Sequence, residues 1–430
     1  MISTFLFILA TLLLSLNFVR PFGLAISDWL YFGALSFAVF ETLTIDRLNL
    51  ICWIKNRFIV PAGLILFGAF ISTFNSKFLD EAIFEIIQQI YVITLFISLI
   101  WIMVRRGKTN LMIQAFIFSG VFTAIVGIIE NFSTVNFGPR FFGTPDIQYY
   151  GRVSGTLGHP NKFGYFLVIT AILSLAKWID LRSTRSIRSN NFARLFWILL
   201  ILIQLYGVYL SSSLTAYLGL ILGFGILYLF SLSFGIRKLF IIIFILIITL
   251  GIFIIMFAII NIDTSFLSFY FINGNSNLVL STIARVVNIT ANSRIMIYEK
   301  AIAYIVNNPL IGVGYEQLST SRLDPMFRDF QFDGIHNIFL QIWYVGGFFA
   351  FFGWILIYII LGLIAFRFLS IRHKVKISST LLGIIAAVLA ILLMDQFQDA
   401  IYQREKWLVF GLLASMAWER FIIQKFTKKI

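Results

Sequence analysis

The sequence predicts an all-α integral membrane protein of roughly twelve transmembrane helices, with one large helical loop outside the bilayer. Three observations carry this. Of 430 residues, 60% are hydrophobic and 12% charged, where a soluble domain has about 25% charged residues. Mean hydropathy is +0.94. Apolar runs of about 20 residues, long enough to cross the hydrocarbon core as helix, recur along the whole chain. Their even spread predicts a single integral domain over residues 1–430.

The runs follow in order. Ile2–Val19 has no basic residue ahead of it and no small-residue cleavage site behind it, so it reads as a retained helix rather than a signal peptide. Asp28–Ile45, Phe58–Thr73, Ile83–Val104 and Leu111–Glu130 come next, and a polar loop, 131–162, follows. Phe163–Trp178 leads to the most basic connection. Leu195–Tyr209 and Leu214–Phe234 form a hairpin about Ser211-Ser212-Ser213, and Leu239–Ile260 precedes the largest loop, 262–336. Asn337–Phe366 is too long for one simple crossing, and Gly346-Gly347 is expected to divide it into a short helix and a true span. Ile377–Met394 and Trp407–Ile423 close the bundle.

Charge sets the orientation. Most of the 33 Lys and Arg lie in alternate short connections, from Arg47–Arg57 to the Lys425–Lys429 tail. The positive-inside rule makes these cytoplasmic, with both termini inside and loops 131–162, 262–336 and 395–404 outside. The net charge of +14 is thereby explained without nucleic acid. The single cysteine, Cys52, can form neither an internal disulfide nor a Cys-based metal site. Asp324, Asp329 and Asp333 read as solvated loop charges, so no metal and no cofactor is expected.

Chemistry is sought in the two long outer loops. His336 stands where the hydrophobic pattern resumes, beside Asn337. Histidine is the side chain best placed to take and return a proton near neutral pH. An interfacial histidine bonding a helix end is the other reading. Asn292–Asn307 is amphipathic, with Ile295, Tyr298, Ile302 and Ile305 on one face and Asn292-Ser293 as its cap. Arg294 falls in its first turn, where the helix dipole disfavours cations, and so points to an anionic partner. A lipid headgroup or an ordinary salt bridge would serve as well. Residues 151–162 are glycine-rich, and Arg152, His159 and Lys162 add positive charge. This reads either as a phosphate cradle or as a turn-rich loop. The Walker A spacing is absent, so no nucleotide site is expected.

These motifs together resemble the O-antigen ligase and O-antigen polymerase superfamily of bacterial membrane glycan transferases. The resemblance rests on Arg152–Asn161, on Ser293-Arg294 followed by Asn308-Pro309-Leu310-Ile311-Gly312-Val313-Gly314, and on His336-Asn337-Ile338-Phe339-Leu340 followed by Gly346. It implies transfer of a glycan from a polyprenyl-diphosphate carrier to an acceptor sugar hydroxyl, without metal, on the outer face of the bacterial inner membrane. Other polysaccharide-assembly membrane proteins are implied as partners. His336 would be the base and Arg294 a diphosphate contact. Arg152, Lys162, His159, Asn337 and Tyr298 would complete the substrate-binding set. Tyr298 stands where many relatives have tryptophan. Leu214 stands where relatives often have an arginine, so Arg152 or Lys162 is expected to replace it. The competing class is a transporter of a small anion or glycan precursor.

Overall fold

The computed structural model describes residues 2–16, 25–42, 57–132, 152–183, 190–231, 292–315, 335–371, 378–398 and 400–427. Every regular element among them is a helix: α1 (Ile2–Leu12), α2 (Ile26–Glu41), α3 (Ile59–Ser72), α4 (Leu79–Arg105), α5 (Thr109–Phe132), α6 (Pro160–Ser183), α7 (Asn190–Ser211), α8 (Leu214–Ser231), α9 (Asn292–Asn307), α10 (Ile338–Ile371), α11 (Ser379–Met394) and α12 (Arg404–Thr427). Helix α4 passes through a π-helical turn at Leu95–Leu99.

The all-helical expectation holds among the described residues; the expected count of about twelve spans and the large outer loop are not shown by them. Five helices, α4, α5, α6, α7 and α10, are long and apolar enough to cross a membrane. Four further apolar stretches, Ile2–Leu12, Ile59–Asn75, Leu214–Phe230 and Ser379–Met394, are shorter. The expected run Leu239–Ile260, the Asp324–Asp333 carboxylates and Cys52 lie outside the described residues.

With no water to hide from, membrane helices associate through close contact of small residues. The α3–α10 contact is of this kind. A Cβ on Gly68 would stand 2.4 Å from the Ala350 nitrogen, and one on Gly353 would stand 2.7 Å from the Pro61 carbonyl oxygen. The backbones meet there with nothing between them.

Polar bonds fasten the bundle at both ends. At one end the Glu41 carboxylate, closing α2, accepts from Ser3 Oγ (2.6 Å) and Arg106 Nη1 (2.7 Å). Asp180, near the end of α6, accepts from the Ser379 (2.8 Å) and Thr380 (3.0 Å) amides that open α11. At the other end Glu130, near the end of α5, accepts from the Gly155 amide at 2.7 Å. There too Asn75 donates to the Gly312 carbonyl (2.7 Å), and Arg404 pairs with Asp28 (2.7 Å). This second end gathers the described parts of the two long polar loops.

Helix α10 is broken where the glycine pair predicts it. Gly347 has φ 67° and ψ −168°, outside helical geometry. The break frees carbonyls that the preceding loop satisfies: Val313 and Gly314 donate to Tyr344 (2.9 Å) and Val345 (3.1 Å). In return the Phe348 amide donates to Pro309 (2.9 Å). A Cβ at Gly347 would lie 2.1 Å from the Leu310 carbonyl oxygen. Gly347→Ala meets both a left-handed φ and this overlap, so it should destabilise by at least about 1–3 kcal/mol. Thermal unfolding in detergent measures this; unchanged stability would contradict the geometry.

Candidate active site at the loop end of the bundle

The site is built on the turn between α7 and α8. Arg152 docks there: Nε donates to the Ser211 carbonyl (2.9 Å) and Nη2 to Asn161 Oδ1 (2.6 Å). Val153 adds a backbone bond to Leu210 at 3.1 Å. The turn itself is tight, with Ser212 at φ 45°.

From Arg152 the chain passes through a short 3₁₀ turn, Gly155–Leu157, and a left-handed Gly158 into α6. His159 caps this helix. Its Nδ1 accepts from the Asn161 amide at 3.0 Å, the bond an N-cap side chain makes to the second helical residue. Pro160 fits the first helical position, which needs no N–H. A ring whose Nδ1 accepts carries its proton on Nε2. Lys162, three residues after His159, is exposed.

His336 approaches from the other loop. Among the described residues only Ser212 and His336 are non-glycine residues with positive φ, and His336 stands at 54°. Side chains held in this region cluster at functional sites. The strain is imposed from both sides. Ile335 is buried among Ala69, Ile297, Tyr315 and Tyr344. Asn337 caps α10, its Oδ1 accepting from the Phe339 (3.0 Å) and Leu340 (3.1 Å) amides while Nδ2 donates to the Gln396 carbonyl (3.2 Å). Asn337, expected to bind substrate, thus has its amide engaged on both sides as a cap.

Lys162, Arg152 and His336 all act on the electrostatics of His159, and Arg152 and His159 both bond to Asn161. Tyr298, on α9, joins them, its hydroxyl donating to the His336 carbonyl at 3.4 Å. Helix α9 has the expected bounds, but its buried face is turned. Ile297, Ala301 and Ile305 are buried, whereas Ile302 is exposed. Arg294 lies in the first turn of α9. Its side chain, and so its distance from His336, lies outside the described residues.

Burial, then Lys162, Arg152 and His336, pull the His159 imidazole from 6.5 down to about 3. The unfolded chain therefore takes a proton that the folded one refuses, and stability rises with pH across that window. The contribution is complete above about pH 6.5 and is lost as pH falls toward 3. His159→Asn keeps a cap acceptor without the titration. It should flatten the acid limb of a stability–pH curve; an unaltered limb would mean that His159 is not its source.

Beneath His336 lies a charge network that the sequence reading passed over. The Ile338 amide donates to the Asp395 carbonyl at 3.1 Å. The Asp395 carboxylate accepts from Tyr165 (3.0 Å), Tyr358 and Lys406 (3.3 Å). Both charged side chains are fully buried, and Lys406 Nζ stands 4.6 Å from the centre of the Trp354 ring. The available signal was charge directly flanking apolar runs, at Asp395 and at Arg404-Glu405-Lys406.

No curated protein matches the chain. A family model described as O-antigen ligase matches residues 197–355, a stretch that includes the Ser211–Ser213 turn, α9, the Asn308–Gly314 loop and His336-Asn337, while Arg152–Lys162 precede it. Over that stretch, rather more than a third of its length, the chain is similar to the O-antigen ligase family, which bears out the resemblance its motifs carry.

Proposed function

We propose that this protein is a membrane glycan transferase that moves a glycan from a polyprenyl-diphosphate carrier to an acceptor sugar hydroxyl. The supporting observation is that one short segment, 396–398, joins the two loops: Gln396 accepts from Asn337, beside His336, and Gln398 donates to the carbonyl of Asn161, whose side chain holds Arg152. A diphosphate is already a good leaving group, so the protein has mainly to orient two sugars and screen developing charge. His336 takes the acceptor proton as the hydroxyl attacks the anomeric carbon. The carbon–oxygen bond to the phosphate breaks, and the lipid diphosphate leaves with the electron pair. Arg294, Arg152 and Lys162 meet that charge. His159 adds a neutral Nε2–H donor.

Arg152 also answers the leucine at 214. It docks on the Ser211 carbonyl, in the turn that Leu214 follows. A cation therefore reaches this turn from a different loop.

The chemistry operates on the outer face of the inner membrane, with both termini in the cytoplasm. Reconstituted full-length protein with lipid-linked oligosaccharide donors tests the reading by glycan-chain analysis. Arg152→Ala should lower transfer by about 10²-fold, the loss seen when one transition-state donor is removed. Absence of transfer across a broad donor panel would defeat the proposal, and solute flux surviving His336→Ala would favour a transporter.

A further inference from the structure

Asn161 spends three polar groups on three different neighbours. Its side-chain Oδ1 accepts from Arg152 Nη2 at 2.6 Å, its amide donates to His159 Nδ1 at 3.0 Å, and its carbonyl accepts from Gln398 Nε2 at 3.3 Å. It stands at the second position of α6, directly before Lys162. Asn161 and Arg152 are half-buried rather than enclosed, and Lys162 is exposed. Gln398, by contrast, is buried in the connection between α11 and α12.

The bond to Arg152 is the informative one. The Ser211 carbonyl holds Nε and Asn161 Oδ1 holds Nη2. A guanidinium is planar, so holding two of its nitrogens fixes the plane of the whole group. Both of these holders are neutral. A carboxylate in place of the Asn161 amide would bind the guanidinium more strongly, through a charge-assisted bond. It would also counter the positive charge. An amide oxygen orients the group without doing so. The Asn161 backbone is itself anchored, by His159 on one side and Gln398 on the other, so the oxygen is presented from a fixed origin. Both anchors are backbone bonds. A change of side chain at 161 leaves them in place and acts on Arg152 alone.

We infer that Asn161 is the positioning residue for Arg152, setting its guanidinium toward the diphosphate of the lipid-linked donor while leaving its charge uncountered. The inference rests on the proposed transferase reading, and it assigns this part of the site to the donor rather than to the acceptor. Planar recognition of phosphate oxygens depends on a guanidinium whose orientation is already fixed. Gln398 extends the same hold. It bonds the Asn161 carbonyl, and two residues earlier the Gln396 carbonyl accepts from Asn337, beside His336. The donor-side arginine and the His336 loop therefore share one anchor.

The test reads diphosphate binding apart from transfer. The probe is farnesyl diphosphate, which carries no sugar. Its binding to the full-length protein in nanodiscs of zwitterionic lipid is followed by isothermal titration calorimetry. Wild type should bind, and added salt should weaken that binding. Asn161→Leu removes the acceptor and should weaken binding at least about tenfold, as for one lost hydrogen bond to a charged group. Asn161→Asp keeps the acceptor but brings a counter-charge. It should weaken binding by a similar factor, with a shallower salt dependence, while its thermal midpoint stays at or above that of wild type. A merely structural asparagine gives no such split, because aspartate would then preserve stability and binding together. Wild-type binding by either variant overturns the inference, as does a lowered midpoint in Asn161→Asp or no binding by wild type. Asn161-dependent binding in a protein that transfers no glycan keeps the positioning role while the transferase reading fails. Glycan transfer by wild type, with both variants binding the diphosphate normally, does the reverse.

Discussion

His336→Gly should remove glycan transfer while leaving the protein at least as stable as before. A general base contributes about 10²–10⁴-fold to rate, and the loss should fall within that range, mainly in kcat. Stability moves the other way because His336 is held at φ 54°. A left-handed backbone costs a side-chain-bearing residue about 1–2 kcal/mol that glycine does not pay. The neighbours that hold the loop, Ile335 in the core and Asn337 on α10, are untouched. His336→Ala should lose the same activity without the stability gain. Paired measurements of transfer rate and thermal midpoint decide the matter. A histidine that only ties a helix end would lose stability and activity together, and that outcome would remove His336 from the mechanism.

The largest loss of stability is expected at Asp395 and Lys406. Their charges lie 3.3 Å apart, both fully buried. Removing one leaves the other without its counter-charge, at a cost of about 3–5 kcal/mol. Lys406→Met and Asp395→Leu should each show it in chemical unfolding from detergent micelles. The pair changed together should recover much of the loss, since an apolar pair of similar volume needs no compensation. Additive losses in the double variant would count against coupling. Transfer should fall in the single variants too, because the Asp395 carbonyl holds the first amide of α10 directly after Asn337.

Much of this was legible in the sequence, for physical reasons that differ by element. Helix α9 was readable because Asn292-Ser293 open it and Asn308-Pro309 stop it. The α10 break was readable because a glycine pair interrupts a run too long for one crossing. Which face of α9 is buried was not. Ile297 and Ile302 are equally apolar, and the choice belongs to Ala69, Tyr315 and Tyr344 on other elements. That Glu85 and Gln89 on α4 are buried was hidden for a related reason. Hydropathy over a window averages Glu85 and Gln89 with the lipid-facing residues around them, and the average still reads as a span. At the site, Arg152, His159 and His336 could be named from residue type alone. Where the 152–159 segment sits depends on Glu130 and the Ser211 carbonyl anchoring it, long-range contacts that no local pattern encodes. The Asp395–Lys406 pair was hidden because charge beside an apolar run ordinarily marks the edge of the membrane.

The broken helix α10 also bears on how the protein is made. Laid straight, its 34 residues would extend about 50 Å, against about 30 Å of hydrocarbon. An insertion apparatus that reads hydrophobicity alone meets several threading registers of similar quality. The Asn308–Tyr315 segment emerges from the ribosome first and carries the amides of Val313 and Gly314 that the Tyr344 and Val345 carbonyls require. Only one register brings those groups together. The segment thus fixes the register of the folded helix, and since Gly312 and Gly314 both hold positive φ, alanine at either is expected to lower the amount of folded protein recovered from the membrane rather than to slow it as an enzyme.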